Sequence, residues 1–161
     1  MNYLALLNSA IITDLTVLVL IIFGVIQSTS IKEWYNNFSL GAFISDIFSI
    51  MFGVMLAYFI YPYIFSEFKI INFIAITVDI QLIHDILLGM LIKVIPIGNS
   101  KIIDIFKKYS EEHSLKILGV DAIMMISTIL IYTYLFDKSI DINMFILITS
   151  LYLLPYFLYS I

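Results

Sequence analysis

Apolar residues in this chain come in long runs, not in the alternation of a half-buried strand or the narrow stripe of a soluble amphipathic helix. Five runs stand out, at residues 4–26, 40–65, 70–95, 117–136 and 142–160. A helix rises ~1.5 Å per residue, so about 20 apolar residues cross a ~30 Å hydrocarbon core. Each run is therefore read as a transmembrane helix. The first is read as an uncleaved span and not as a leader, because no basic residue precedes Lys32 and because Asn8 and Asp14 interrupt it. Pro62 lies near the end of the second run, Pro96 and Gly98 follow the third, and Pro155 falls in the last turns of the fifth, placements that suit helix ends.

The connectors are short except for two. In residues 27–39, Ser30 followed three residues later by Glu33 reads as a capping box opening a short helix. Trp34, Tyr35 and Phe38 within it suit headgroup depth, where amphipathic rings are favoured. Asn37-Phe38-Ser39 fits the N-glycosylation pattern but falls on the inner side in the orientation argued below, and carries no weight. In residues 99–113, Ile102, Ile105, Phe106 and Tyr109 share one helical face, opposite Lys101, Asp104, Lys107, Lys108, Glu111 and Glu112. That pattern predicts an amphipathic surface helix, lying on the membrane or packed on the end of the bundle. The fold class expected is all-α: a single-domain polytopic transmembrane bundle of five spans plus this surface helix.

Composition agrees, with 62% apolar and 12% charged residues, where a soluble domain has about half and a quarter. Cysteine is absent, which excludes disulfides and thiolate chemistry, and every basic residue is lysine. Without guanidinium forks, and with a net charge of −4, nucleic acid is not an expected partner. The expected partners are the lipid bilayer and, within it, a homo-oligomer or other membrane proteins. Lysines set the orientation: Lys32, Lys101, Lys107, Lys108 and Lys116, with Lys93 nearby, fall on one side, and only Lys69 and Lys138 on the other. The positive-inside bias then puts the N-terminus outside and the C-terminus inside.

Two sets of residues stand out inside the spans. Gly41, Ser45, Ser49, Gly53 and Ala57 place a small side chain at every fourth position of the second span. In a bilayer such a stripe lets helix backbones approach, so this span is expected to pack centrally against several neighbours. The second set is acidic: Asp14, Asp46, Asp79, Asp85 and Asp121. Each costs about 2.5–3.5 kcal/mol at mid-membrane on the insertion scale, against roughly 0.3–0.6 gained per Leu, Ile, Phe or Val, so the spans still insert. Gln81, His84 and Asp85 share one face of the third span, while Asp79 points elsewhere. These seven polar residues are the candidates for a proton or cation pathway; as an alternative, they are hydrogen-bonded glue between helices. No catalytic constellation, metal-ligand spacing or cofactor motif is evident.

The stretch from Asp79 through His84-Asp85, then Ile95-Pro96-Ile97-Gly98-Asn99-Ser100-Lys101 and Asp104-Ile105-Phe106-Lys107-Lys108-Tyr109, to Asp121, resembles small membrane proteins of large algal and marine DNA viruses. The resemblance implies a viral origin and carries over no catalytic or binding residue. The functional expectation is a structural or assembly component of a membrane, with a proton or cation channel or transporter as the alternative.

Overall fold

Four helices begin in the same way. Asn2, Ser28, Ser100 and Ser139 each accept, on a side-chain oxygen, the backbone N–H three residues on, that of Ala5, Ile31, Ile103 and Ile142 respectively, satisfying a donor that the first turn leaves orphaned. The computed structural model describes the backbone of residues 1–161 and all side chains except those of residues 112–117. The elements are α1 (Tyr3–Ile22), α2 (Thr29–Phe38), α3 (Leu40–Ile64), α4 (Ile70–Val94), α5 (Lys101–Phe136) and α6 (Ile140–Leu158), with no strand among the described residues. Five helices have the length and apolar composition of membrane spans: α1, α3, α4, α6 and the Leu118–Phe136 part of α5. Phe48, Phe52, Phe59, Ile83, Leu87 and Phe145 all face outward, an apolar exterior that suits lipid and not water.

The first connector differs from the sequence expectation. Ser28, not Ser30, caps α2, and Ser30 is buried as the second residue of the helix. Ser39, with φ +45°, then separates α2 from α3; a positive φ is uncommon outside glycine and turns the chain sharply between two helices that otherwise abut. Trp34 and Tyr35 are also corrected. They are 9% and 3% exposed, respectively, because α2 folds back against α3 and α5, so their rings pack within the bundle and are not free to the surroundings.

The amphipathic segment is not a separate helix. It is the first third of α5, which runs unbroken from Lys101 to Phe136, as expected of a stretch with no Gly or Pro before Gly119. At ~1.5 Å per residue a helix of 36 residues is about 54 Å long, so it projects well beyond a ~30 Å core. Its apolar face meets α2: Ile105 is buried and Phe106 stacks obliquely on Trp34, centroids 5.1 Å apart. Lys108 pairs with Glu33 at 2.8 Å, and Gly98 N–H donates to Asp104 at 3.1 Å, fixing the connector to the helix it precedes. Glu112, Lys116 and the proposed first residue of the fourth span, Ile117, lie outside the described side chains.

The central helix is α1, the most enclosed span, packed on α3, α5 and α6. The small-residue helix α3 does touch several neighbours, α1, α2, α4 and α5. Only part of its stripe packs tightly, however. Gly53 and Ala57 are buried, whereas Gly41, Ser45 and Ser49 are exposed. A Cβ on Gly53 would come within 2.7 Å of Met125 Cε, while Gly41 has nothing within 4 Å. α3 is thus closely packed toward its α4 turn and open at its α2 end.

Candidate functional site

The open half of α3 forms one wall of a cavity of about 450 Å³. Its other walls are the second half of α1, α2, the second half of α4 and the first two thirds of α5. All of these segments lie at the same end of the bundle, the end that carries the 23–28 and 95–100 connectors. Among the described residues no lysine lines the cavity. Six of the seven polar candidates read from the sequence do: Asp14, Asp46, Gln81, His84, Asp85 and Asp121. The seventh, Asp79, is exposed on another face of α4 and takes no part.

Two groups of hydrogen bonds organise these residues. At the inner wall, the Tyr35 hydroxyl lies 3.1 Å from Asp14 Oδ1 and 2.9 Å from Asp46 Oδ2, and Trp34 Nε1–H donates to Asp46 Oδ2 at 3.2 Å. One phenol has one proton and cannot donate fully to two carboxylates. The count closes when one acid carries its own proton and donates it to the phenol oxygen. Asp46 already accepts from two donors, which leaves Asp14 as the member that donates. Asp14 is fully buried, and its other oxygen, Oδ2, has no hydrogen-bond partner. Burial, reinforced by the adjacent Asp46 carboxylate that accepts its hydrogen bond, raises the Tyr35 pKa well above its usual value, so the phenol stays a neutral donor.

At the mouth, Gln81 Nε2–H donates to Asp85 Oδ1 at 2.7 Å, and His84 Nδ1 stands 3.2 Å from the same oxygen. Asp85 Oδ2 is buried without a partner, while the His84 side chain is about half exposed, at 49%. Asp121 on α5 lines the same cavity as Asp85 and Asp46. Among the described residues no three His, Asp or Glu side chains gather closely enough to hold a metal ion. The arrangement can store, exchange and pass protons between carboxyls, a phenol and an imidazole, and can offer negative charge to a cation.

Sequence reasoning missed part of the site. Trp34 and Tyr35 organise the inner acids, a role that their place in a connector does not signal. A second polar set was passed over altogether: Thr128 Oγ1–H donates to Thr13 Oγ1 at 2.9 Å, and Asn8 Nδ2–H donates to the Asn143 backbone oxygen at 2.8 Å, both pairs buried. Asn143 Nδ2 in turn reaches the backbone oxygens of Leu135, Lys138 and Ser139. These pairs run from beside Asp14 to the opposite end of α1. The available signal was a neutral polar side chain inside an apolar span, costly to leave unpaired in lipid. Comparison with protein-family models, curated proteins and solved structures returned no match, so nothing there bears on the viral resemblance.

Proposed function

We propose that this protein is a membrane transporter that moves protons or cations through its acid-lined cavity. The observation that carries this reading is Asp14: wholly buried at mid-span, sharing the Tyr35 hydroxyl with Asp46, and keeping one oxygen unpartnered at the cavity wall. An acid in that setting is expensive. Acids serving only as glue between helices would use both oxygens in a dry interface, whereas these line a space open to the exterior through His84. The paired Thr13–Thr128 and Asn8–Asn143 contacts do lie in a dry interface, where Asn8 Oδ1 is also left without a partner, so it is the cavity and not the unpartnered oxygen that sets the acids apart. The two pairs favour a structural role for the far half of the bundle, and to that extent support the second reading, an assembly component of a membrane, viral if the sequence resemblance holds.

Flux into liposomes containing the purified protein tests the transport reading. Wild-type protein is expected to pass protons or monovalent cations across about pH 5 to 8 under an applied potential, and Asp85→Asn to reduce flux to background. The amide keeps the carboxyl's shape but cannot exchange its charge. Unchanged thermal stability of the variant in detergent shows that the loss is not one of folding. Wild-type liposomes that pass neither protons nor cations leave the structural reading in its place.

A further inference from the structure

The walls of the cavity are mostly not acidic. Between the two carboxylate groups they are Ile50, Leu88, Met124 and Met125, with the Trp34 and Phe106 rings at one end. An inorganic cation stripped of water needs several oxygen ligands converging on one point, and among the described residues no three Asp, Glu or His side chains form such a grouping. A hydrophobic chamber of 300–1,000 Å³ with a few convergent polar groups is instead the form of a site for an organic ligand, and this one has about 450 Å³. Four of its polar groups are acids, Asp14, Asp46, Asp85 and Asp121, set among neutral hydroxyls, Gln81 and His84, with no lysine among the described lining residues. Trp34, Tyr35, Phe106 and Tyr109 line it, and aromatic rings attract cations, most strongly when water is excluded. Its rim points the same way: Ser45 and Ser49 on α3 and His84 on α4 line the cavity and are also exposed, which marks a mouth between two spans on the outward-facing side of the bundle.

We propose that the cavity binds a lipophilic organic cation, an amine or a quaternary ammonium or phosphonium ion bearing apolar substituents, taken in from the bilayer between α3 and α4. The ligand's apolar groups occupy the Ile, Leu and Met walls, and its charge faces Asp14 and Asp46 beside Trp34. Asp14 Oδ2 is unpartnered and, at 0% exposure, is reached only as the neighbouring side chains move aside. No covalent bond is made or broken apart from a carboxyl O–H. The proton held between Asp14 and Asp46 leaves to water, the freed carboxylate takes the cation, and the charge of the site is conserved. The inference rests on the transport reading for its physiological sense but is tested apart from it.

Tetraphenylphosphonium and tetraphenylborate have the same shape and opposite charge, and both are titrated calorimetrically into the purified wild-type protein in detergent. The phosphonium is expected to bind saturably, to release a proton into weakly buffered solution, and to lose affinity as pH falls, approaching tenfold per unit for one displaced proton. The borate is expected not to bind. Asp14→Asn and, at the other wall, Asp121→Asn are each expected to weaken phosphonium binding with little change in melting temperature; should Asp14→Asn fail to fold, Asp121→Asn and the wild-type ion pair still decide. Equal binding of both ions, or no saturable phosphonium binding, overturns the proposal. Proton flux without phosphonium binding would sink this inference alone, and phosphonium binding without any flux would sink the transport reading alone.

Discussion

A single hydroxyl connects the two deepest acids, so the Tyr35 oxygen is the most informative atom to remove. Tyr35→Phe keeps the ring packed among α2, α3 and α5 and deletes the contacts to Asp14 and Asp46. Asp14 then loses its one side-chain hydrogen-bond partner among the described residues while fully buried. The expected cost is about 1–3 kcal/mol, the penalty for an unsatisfied buried polar group, read as a lower melting temperature in detergent. The sign of its pH dependence follows from the raised pKa of Tyr35. The folded state holds the phenolic proton more tightly than the unfolded state, so this stabilisation is complete below the ordinary phenol value of about 10 and is lost as pH rises through the folded value. The gap between wild type and Tyr35→Phe should therefore hold up to about pH 10 and narrow above it. The acids themselves were legible in the sequence, because a charged side chain inside an apolar run is conspicuous. Tyr35 was not, because an aromatic residue in a connector looks the same whether it anchors to headgroups or folds back into the bundle.

At the level of elements, periodicity gave the five spans to within a few residues, but not how one helix divides its length between packing and lining a cavity. The stripe on α3 is uniform in sequence and divided in space. Gly53→Leu must displace Met125, whose Cε would already lie 2.7 Å from a Cβ at that site, and should cost about 1–3 kcal/mol as an overpacking substitution. Gly41→Leu enters open space and should stay within about 0.5 kcal/mol; replacing a helical glycine even helps slightly. Val54, beside Gly53, is no control, since it is itself 1% exposed. Melting curves of both variants in one detergent make the comparison, and equal losses would mean that the α2 end of α3 is as tightly packed as the other. The uninterrupted α5 was legible in principle, since nothing between Lys101 and Leu118 breaks a helix. Its cluster of charges invited a boundary because polarity marks where a chain leaves lipid, which is a different event from where a helix stops.

For the whole molecule, the arrangement of spans fixes which connectors share a side, and the lysines choose which side that is. The cavity, α2 and the 95–100 connector occupy one end of the bundle, so the orientation also decides which compartment the acids face. The chain has no cysteine, and single substitutions therefore give unambiguous labels. Asn99→Cys and Asp137→Cys replace exposed residues in the connectors that flank α5, one at the cavity end and one at the other. With a membrane-impermeant thiol reagent on sealed vesicles of known sidedness, the two must label from opposite faces if Leu118–Phe136 crosses the bilayer. Position 99 should label from the inner face, because Lys32, Lys101, Lys107 and Lys108 cluster around that end and the lysine bias sets orientation over short loops. Labelling of both from one face would remove the span in α5 and with it the enclosure of Asp121 and Met125 that closes the cavity wall. Labelling from opposite faces but with Asn99→Cys outside would leave the bundle intact and reverse the direction in which the acids open, so that any proton leaving Asp14 would be delivered to the exterior.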